Sequence, residues 1–160
     1  MGSLSYKVKK VSAASKTGTV WVAKAAGNKK VKNLSVPNKI RYQNFTFQVT
    51  GVEKNAFKKS ARLTTVKLGN RVETISAGAF QGCRKLAKVT IGTGLKTIGK
   101  QAFCNDKKLK SVTIKSKKLK TVKAAALKGI HKNAKIKVPK AKLNAYKKKF
   151  KGKTNAQITK

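Results

Sequence analysis

Six side chains carry nearly all the general-acid, thiol and metal-ligand chemistry in this 160-residue chain: Glu53, Glu73, Asp106, His131, Cys83 and Cys104. Hydrolases that work through acid/base pairs or hard metal ions need carboxylates, and three in the whole chain argue against most of them. A Ser-His-Asp arrangement would have to join His131 to Asp106, and no nucleophile elbow or oxyanion loop accompanies it. Gly92-Thr93-Gly94 leads into a strand-like Leu95 rather than a helix, so the dinucleotide-binding fingerprint fails. Two thiols and a distant histidine are too few for a metal site. His131, in Gly129-Ile130-His131-Lys132-Asn133, reads as a loop residue. The expectation is a protein with no catalytic residues, no cofactor and no metal.

The abundant chemistry is positive charge. Lysine and arginine total 41 against the three acids, a formal net charge of +38. Only Arg41, Arg62, Arg71 and Arg84 are arginines, and the other 37 basic residues are lysines. Arginine forks bidentately onto phosphates and guanine edges, whereas lysine is a mobile point charge. A lysine surface therefore predicts attraction to polyanions more than sequence reading. The charge is uneven, with 16 basic and 2 acidic residues in positions 1–80 against 25 and 1 in positions 81–160. Charge of this density also marks disordered chains, so order must be argued from pattern.

Met1-Gly2-Ser3-Leu4-Ser5-Tyr6 has no apolar stretch for a signal peptide, and Tyr6 breaks the myristoylation pattern. No apolar run approaches the length of a membrane span. Met1-Gly2-Ser3 is expected to be an expression remnant ahead of a fragment of a longer protein.

Order follows from a repeat. Ala56-Phe57 recurs as Ala79-Phe80 and Ala102-Phe103, each step 23 residues. Leu63, Leu86 and Leu109 keep that interval, as do Val52, Ile75 and Ile98, with Val122 following after 24. Val66-Lys67-Leu68, Val89-Thr90-Ile91 and Val112-Thr113-Ile114 repeat in step, and Ile136-Lys137-Val138 closes the series. Alternation of apolar and polar residues through each of these predicts a strand with one buried face. The Ala-Phe segments are too short for more than a turn or two of helix. One such unit cannot bury its apolar face alone, whereas stacked units form a continuous ladder, so a short solenoid is expected.

The pattern Val72-x-x-Ile75-x-x-x-Ala79-Phe80-x-x-Cys83-x-x-Leu86-x-x-Val89-x-Ile91 resembles the BspA-type, or Treponema-type, leucine-rich repeat of bacterial surface proteins. The likeness covers roughly residues 45–139. Ser60 and Asp106 depart from it where the repeat has cysteine, and Ala126-Leu127 departs where it has Ala-Phe. The expected fold class is a strand-dominated α/β solenoid of about four 23-residue units. A β-rich N-terminal cap is expected over 1–44, repeats over 45–139 and a helical C-terminal cap over 140–160. In the first cap Thr19–Val22, Leu34–Val36 and Ile40–Tyr42 read as strands, with Gln43-Asn44 turning into Phe45–Val49. In the last, Pro139 ends the final repeat strand. Leu143, Tyr146 and Phe150, with Ala145 beside them, are spaced for an amphipathic helix. Gly152 is a helix stop, and Ala156-Gln157-Ile158 reads as a strand.

The spacing of Phe57, Phe80 and Phe103 makes them a core ladder rather than platforms for bases. Tyr6, Trp21, Tyr42, Tyr146 and Phe150 are expected to pack in the caps, which leaves little aromatic surface for single strands. Cys83 and Cys104 fall at different points of the repeat. They read as buried small residues more readily than as a disulfide. Arg62, Lys85 and Lys108 are equivalent and should line up as like charges. Strand alternation sends Thr65, Lys67, Lys88, Thr90, Ser111, Thr113, Lys135 and Lys137 to the open face, the candidate partner-binding surface.

The resemblance implies an exported, cell-surface adhesion or interaction module, and a monomer is expected. Its expected partners are proteins or anionic polymers, with nucleic acid bound only as an unspecific polyanion. The alternatives are a scaffold domain of a larger exported protein that has no binding of its own, or an unspecific binder of nucleic acid and other polyanions.

Overall fold

The alternating segments fold as short parallel strands, each stacked on its equivalent in the next repeat. The computed structural model describes residues 4–25 and 31–160; Met1-Gly2-Ser3, read above as a remnant, lies outside the described residues. In chain order the elements are β1 (Leu4–Ser12), β2 (Thr17–Ala25), β3 (Asn33–Val36), β4 (Lys39–Tyr42), β5 (Phe45–Val52), β6 (Thr65–Leu68) and β7 (Thr74–Ile75). There follow β8 (Lys88–Ile91), β9 (Thr97–Ile98), β10 (Ser111–Ile114), β11 (Thr121–Val122), β12 (Lys135–Lys137), a 3-10 turn (Lys140–Lys142), α1 (Leu143–Phe150) and β13 (Gln157–Thr159).

Two sheets run along the stack. One has the order β13-β12-β10-β8-β6-β3, all parallel. The other has the order β1-β2-β5-β7-β9-β11, with β4 also paired to β5. The 23-residue period is the register itself, since Val66 pairs with Val89 and Val89 with Val112. At the first step Leu34 pairs with Val66, 32 residues on. The β4–β5 hairpin lies inside that longer interval.

The Ala-Phe turns form a third ladder that no strand assignment captures. The N–H groups of Asn55, Phe57 and Lys59 donate to the carbonyls of Ala77, Ala79 and Gln81 at 2.7–3.1 Å. Gly78, Phe80 and Gly82 donate in the same way to Lys100, Ala102 and Cys104. Gln101, Phe103 and Asn105 donate to Ala124, Ala126 and Lys128. Two positions per repeat take left-handed backbone to make this possible. One column is Asn55, Gly78, Gln101 and Ala125, and the other is Lys59, Gly82, Asn105 and Gly129. Two sheets and the turn ladder thus place backbone hydrogen bonds on the neighbouring repeat, which is why so small a unit can be so regular.

The core is the expected ladder. Phe57, Phe80 and Phe103 are fully buried, with ring centroids 5.3 and 5.1 Å apart and planes 5° from parallel. Offset stacking of this kind adds about 0.5–1.5 kcal/mol per pair beyond area burial. Leu63, Leu86 and Leu109 are likewise buried completely.

The ends are closed by different means. At the N-terminal side β1 and β2 form an antiparallel hairpin. Lys9 there pairs with Glu53 and lies 4.5 Å from the Trp21 ring. That ring covers Gly51 so closely that any Cβ there would clash with it. At the other end α1 buries Tyr146 and Phe150. The Tyr146 hydroxyl donates to the Ser116 carbonyl and accepts from the Leu119 N–H, both at 3.0 Å.

Three expectations need correction. Tyr42 is 67% exposed rather than packed. It flanks the Gln43-Asn44 turn at the end of the β4–β5 hairpin, where only one neighbouring strand exists to cover it. Ala145 is exposed, one position off the buried stripe of α1. Leu95 is buried in the turn before β9, not in a strand.

Candidate functional site

The eight residues expected to face outward from the strands do so, in two columns fixed by register. Thr65, Lys88, Ser111 and Lys135 form one, flanked by Asn33 and Gln157. Lys67, Thr90, Thr113 and Lys137 form the other, flanked by Ser35 and Thr159. The four lysines are exposed and the four hydroxyl residues are half-buried. Parallel strands lie about 4.8 Å apart. The lysines therefore form two banks, on β6–β8 and on β12, with the hydroxyl-only strand β10 between them. The hydroxyls are partly spent inside the protein, since Thr65 donates to the Asn33 side-chain oxygen at 2.6 Å. A cleft of about 310 Å³ opens at the ends of these strands beside Lys67, Thr90 and Lys115.

The turn face gathers its cations more closely. A groove of about 1080 Å³ crosses three repeats there, lined by Lys58, Lys59, Arg84, Lys107 and Lys108. All five are exposed. Sequence reading singled out Arg62, Lys85 and Lys108, which are indeed exposed at equivalent positions, but not this groove. Its available signal was the column Lys59, Gly82, Asn105, in which a glycine interrupts two side-chain-bearing residues.

The groups capable of reactive chemistry stand apart from both faces. Asp106 is fully buried, and its Oδ1 accepts the Cys83 N–H at 2.7 Å while Oδ2 has no hydrogen-bond partner. Burial pushes this carboxyl up to about 9, so it holds its proton at neutral pH. Cys83 and Cys104 are free and buried. Burial pushes the Cys83 thiol up to about 12, with the Asp106 charge adding to the shift, and raises Cys104 by the same two causes. Neither is a ready thiolate nucleophile. His131 sits in a loop, as expected, and its Nδ1 accepts the Asn133 N–H at 3.1 Å. Asp106 and His131 thus face separate partners. Among the described residues no cluster of three His, Cys, Asp or Glu could hold a metal, and no helix is long and apolar enough to cross a membrane.

A family model described as the BspA type leucine rich repeat region matches residues 26–157 in six copies. Among solved structures, a leucine-rich repeat protein of Bacteroides ovatus ATCC 8483 superposes with a TM-score of 0.72 at 23% identity. The match covers 99% of this chain and 36% of that one, so this chain spans about a third of its length. A leucine-rich repeat protein of Bacteroides capillosus ATCC 29799 gives 0.65 at 20% identity over 82% of this chain and 94% of that one. A leucine rich cell surface protein of Faecalibacterium prausnitzii A2-165 gives 0.53 at 18% identity, over 99% and 51%. At these identities the likeness is one of fold. No curated protein matches the chain in sequence.

Proposed function

This chain belongs to the BspA type leucine-rich repeat family, and from that premise we propose that it is a non-catalytic interaction module of the cell surface, holding anionic polymers or acidic proteins against its lysine-rich exterior. The observation that carries the reading is the fate of the three carboxylates. Glu53 pairs with Lys9, Glu73 pairs with Lys96 at 2.8 Å, and Asp106 is buried. The remaining lysines have no internal acid left to meet, so their counter-charge must come from salt or from a partner. On a rigid, register-locked scaffold, such charges attract a polyanion and gain entropy from the counterions it releases.

The strand face, with Lys67, Lys88, Lys135 and Lys137 among Thr65, Thr90, Ser111 and Thr113, is a candidate contact surface. The division into a cap over 1–44, repeats over 45–139 and a cap over 140–160 goes with this reading. Surface placement is supported by the likeness in fold to the Faecalibacterium cell surface protein. The test is binding to a purified anionic wall polymer through a salt series, with duplex DNA alongside. Preference for the wall polymer that persists at about 0.15 M salt, where the Debye length is near 8 Å, is the expected result. Equal binding to both that vanishes with salt contradicts it.

A further inference from the structure

We propose that the groove across the turn segments, not the strand face, is the seat of the anionic partner, and that it takes a single flexible chain of phosphodiesters without aromatic groups. The inference rests on the polyanion reading above and adds which surface and which chemistry.

Four observations support the choice. Lys58, Lys59, Arg84, Lys107 and Lys108 converge on one concavity more than three times the volume of the cleft at the strand ends. On the strand face, by contrast, a hydroxyl strand divides the lysines. Small residues also lower the wall of the groove at its centre. Gly82 stands between Lys59 and Asn105 in a column where all three residues share left-handed backbone. Having no side chain of its own, Gly82 lets the Lys59 stem lie across it, with Lys59 Cγ 3.5 Å from where a Cβ would stand, so the Lys59 cation is carried over the groove floor. Ala61 is the small member of the column that continues as Arg84 and Lys107.

Donors of both kinds line the groove, since Gln81 and Asn105 add side-chain amides to the cations. The nearest acid in sequence, Asp106, turns into the core, where burial keeps it protonated, so it takes no charge from the groove. No aromatic residue lines the groove. A nucleic-acid strand would therefore find charge but no platform for its bases, and single-strand binders rely on both. A polyol-phosphate chain needs only the charge and the amide donors. Because the repeats stack along the groove, successive phosphates can meet successive repeats.

The decisive comparison is between variants of equal charge. Lys58→Gln/Arg84→Gln/Lys107→Gln/Lys108→Gln removes four cations from the groove, and Lys67→Gln/Lys88→Gln/Lys135→Gln/Lys137→Gln removes four from the strand face. Both are titrated with linear poly(glycerol phosphate) and with oligothymidylate of matched phosphate number at physiological salt. The groove variant should lose about tenfold more affinity for poly(glycerol phosphate) than the strand-face variant, with a shallower salt dependence. Equal losses, or a larger loss from the strand face, overturn the groove and leave the polyanion reading standing. Failure of the unmodified chain to bind poly(glycerol phosphate) while it still binds oligothymidylate overturns the ligand class, and failure to bind either polyanion overturns the polyanion reading with it. Tighter binding of oligothymidylate, with the same residues responsible, overturns the ligand class. A second pair keeps the test sharp without large changes in charge: Ala61→Glu should weaken binding strongly, and Thr113→Glu only slightly.

Discussion

The Phe57–Phe80–Phe103 column and the Ser60–Cys83–Asp106 column run three residues apart through the turn segments, at the same 23-residue period. In the first, each ring lies against its own copy at 5.1–5.3 Å, so any change at one level leaves a gap at the next. In the second, the Cys83 and Asp106 side chains answer to backbone instead. The Cys83 thiol donates to the Phe57 carbonyl at 3.1 Å, and Asp106 accepts the Cys83 N–H. A small residue with one polar atom suffices there, and serine, cysteine and aspartic acid have all been accommodated. A repeat enforces identity where like packs on like. Elsewhere it enforces only size and a hydrogen bond, and an acid placed there carries a penalty that its neighbours do not.

The first way to break the comparison is Phe80→Ala, which empties the middle of the stack. Removing a fully buried phenylalanine costs about 3–5 kcal/mol. Chemical denaturation should show a loss of that size, and a loss under 1 kcal/mol would mean the rings do not hold the repeats together.

Asp106→Asn has the opposite sign. The folded carboxyl keeps a proton that the unfolded chain releases above about pH 4. Because the folded value is about 9, the protein's stability is full below about pH 4 and falls as pH rises toward 9. Asparagine keeps the oxygen that accepts the Cys83 N–H and has nothing to ionise. The substitution should therefore leave stability unchanged near pH 4 and raise it by a few kcal/mol at pH 8. A gain that does not depend on pH would show that ionisation is not the cause.

The smallest effect concerns the exposed column Arg62, Lys85 and Lys108, where like charges stack. Exposed charges interact weakly, within about 1 kcal/mol, and salt screens them beyond about 10 Å at 0.1 M. Melting temperature should rise by a few degrees from low to moderate salt. A steady fall would reject repulsion as a destabilising force here.

Much of this architecture was legible because one period governs it. The phenylalanine stack, the inward pairs such as Val89 and Ile91, the β4–β5 hairpin at Gln43-Asn44 and the helix carrying Tyr146 and Phe150 all follow from spacing alone. The partnership of Leu34 with Val66 did not, because the intervening hairpin stretches that interval to 32 residues. Asp106 was visible as a departure from the repeat, but its protonation follows from burial, which an acidic residue in a lysine-rich loop does not advertise. The strand-face residues were named from alternation. The groove was not, because its lysines sit in turns whose left-handed columns and cross-repeat hydrogen bonds appear only once the repeats are stacked. Gly78, Gly82 and Gly129 were the only hints of them.

The central claim, that this lysine-rich solenoid holds a polyanion in the groove of its turn face, can be tested by mapping backbone amide shifts of the isotope-labelled chain during titration with poly(glycerol phosphate) at about 0.15 M salt. The account predicts that the perturbed amides cluster at 58–61, 81–84 and 105–108. Shifts centred on β6, β8 and β12, or spread evenly over every lysine-bearing surface, would contradict it.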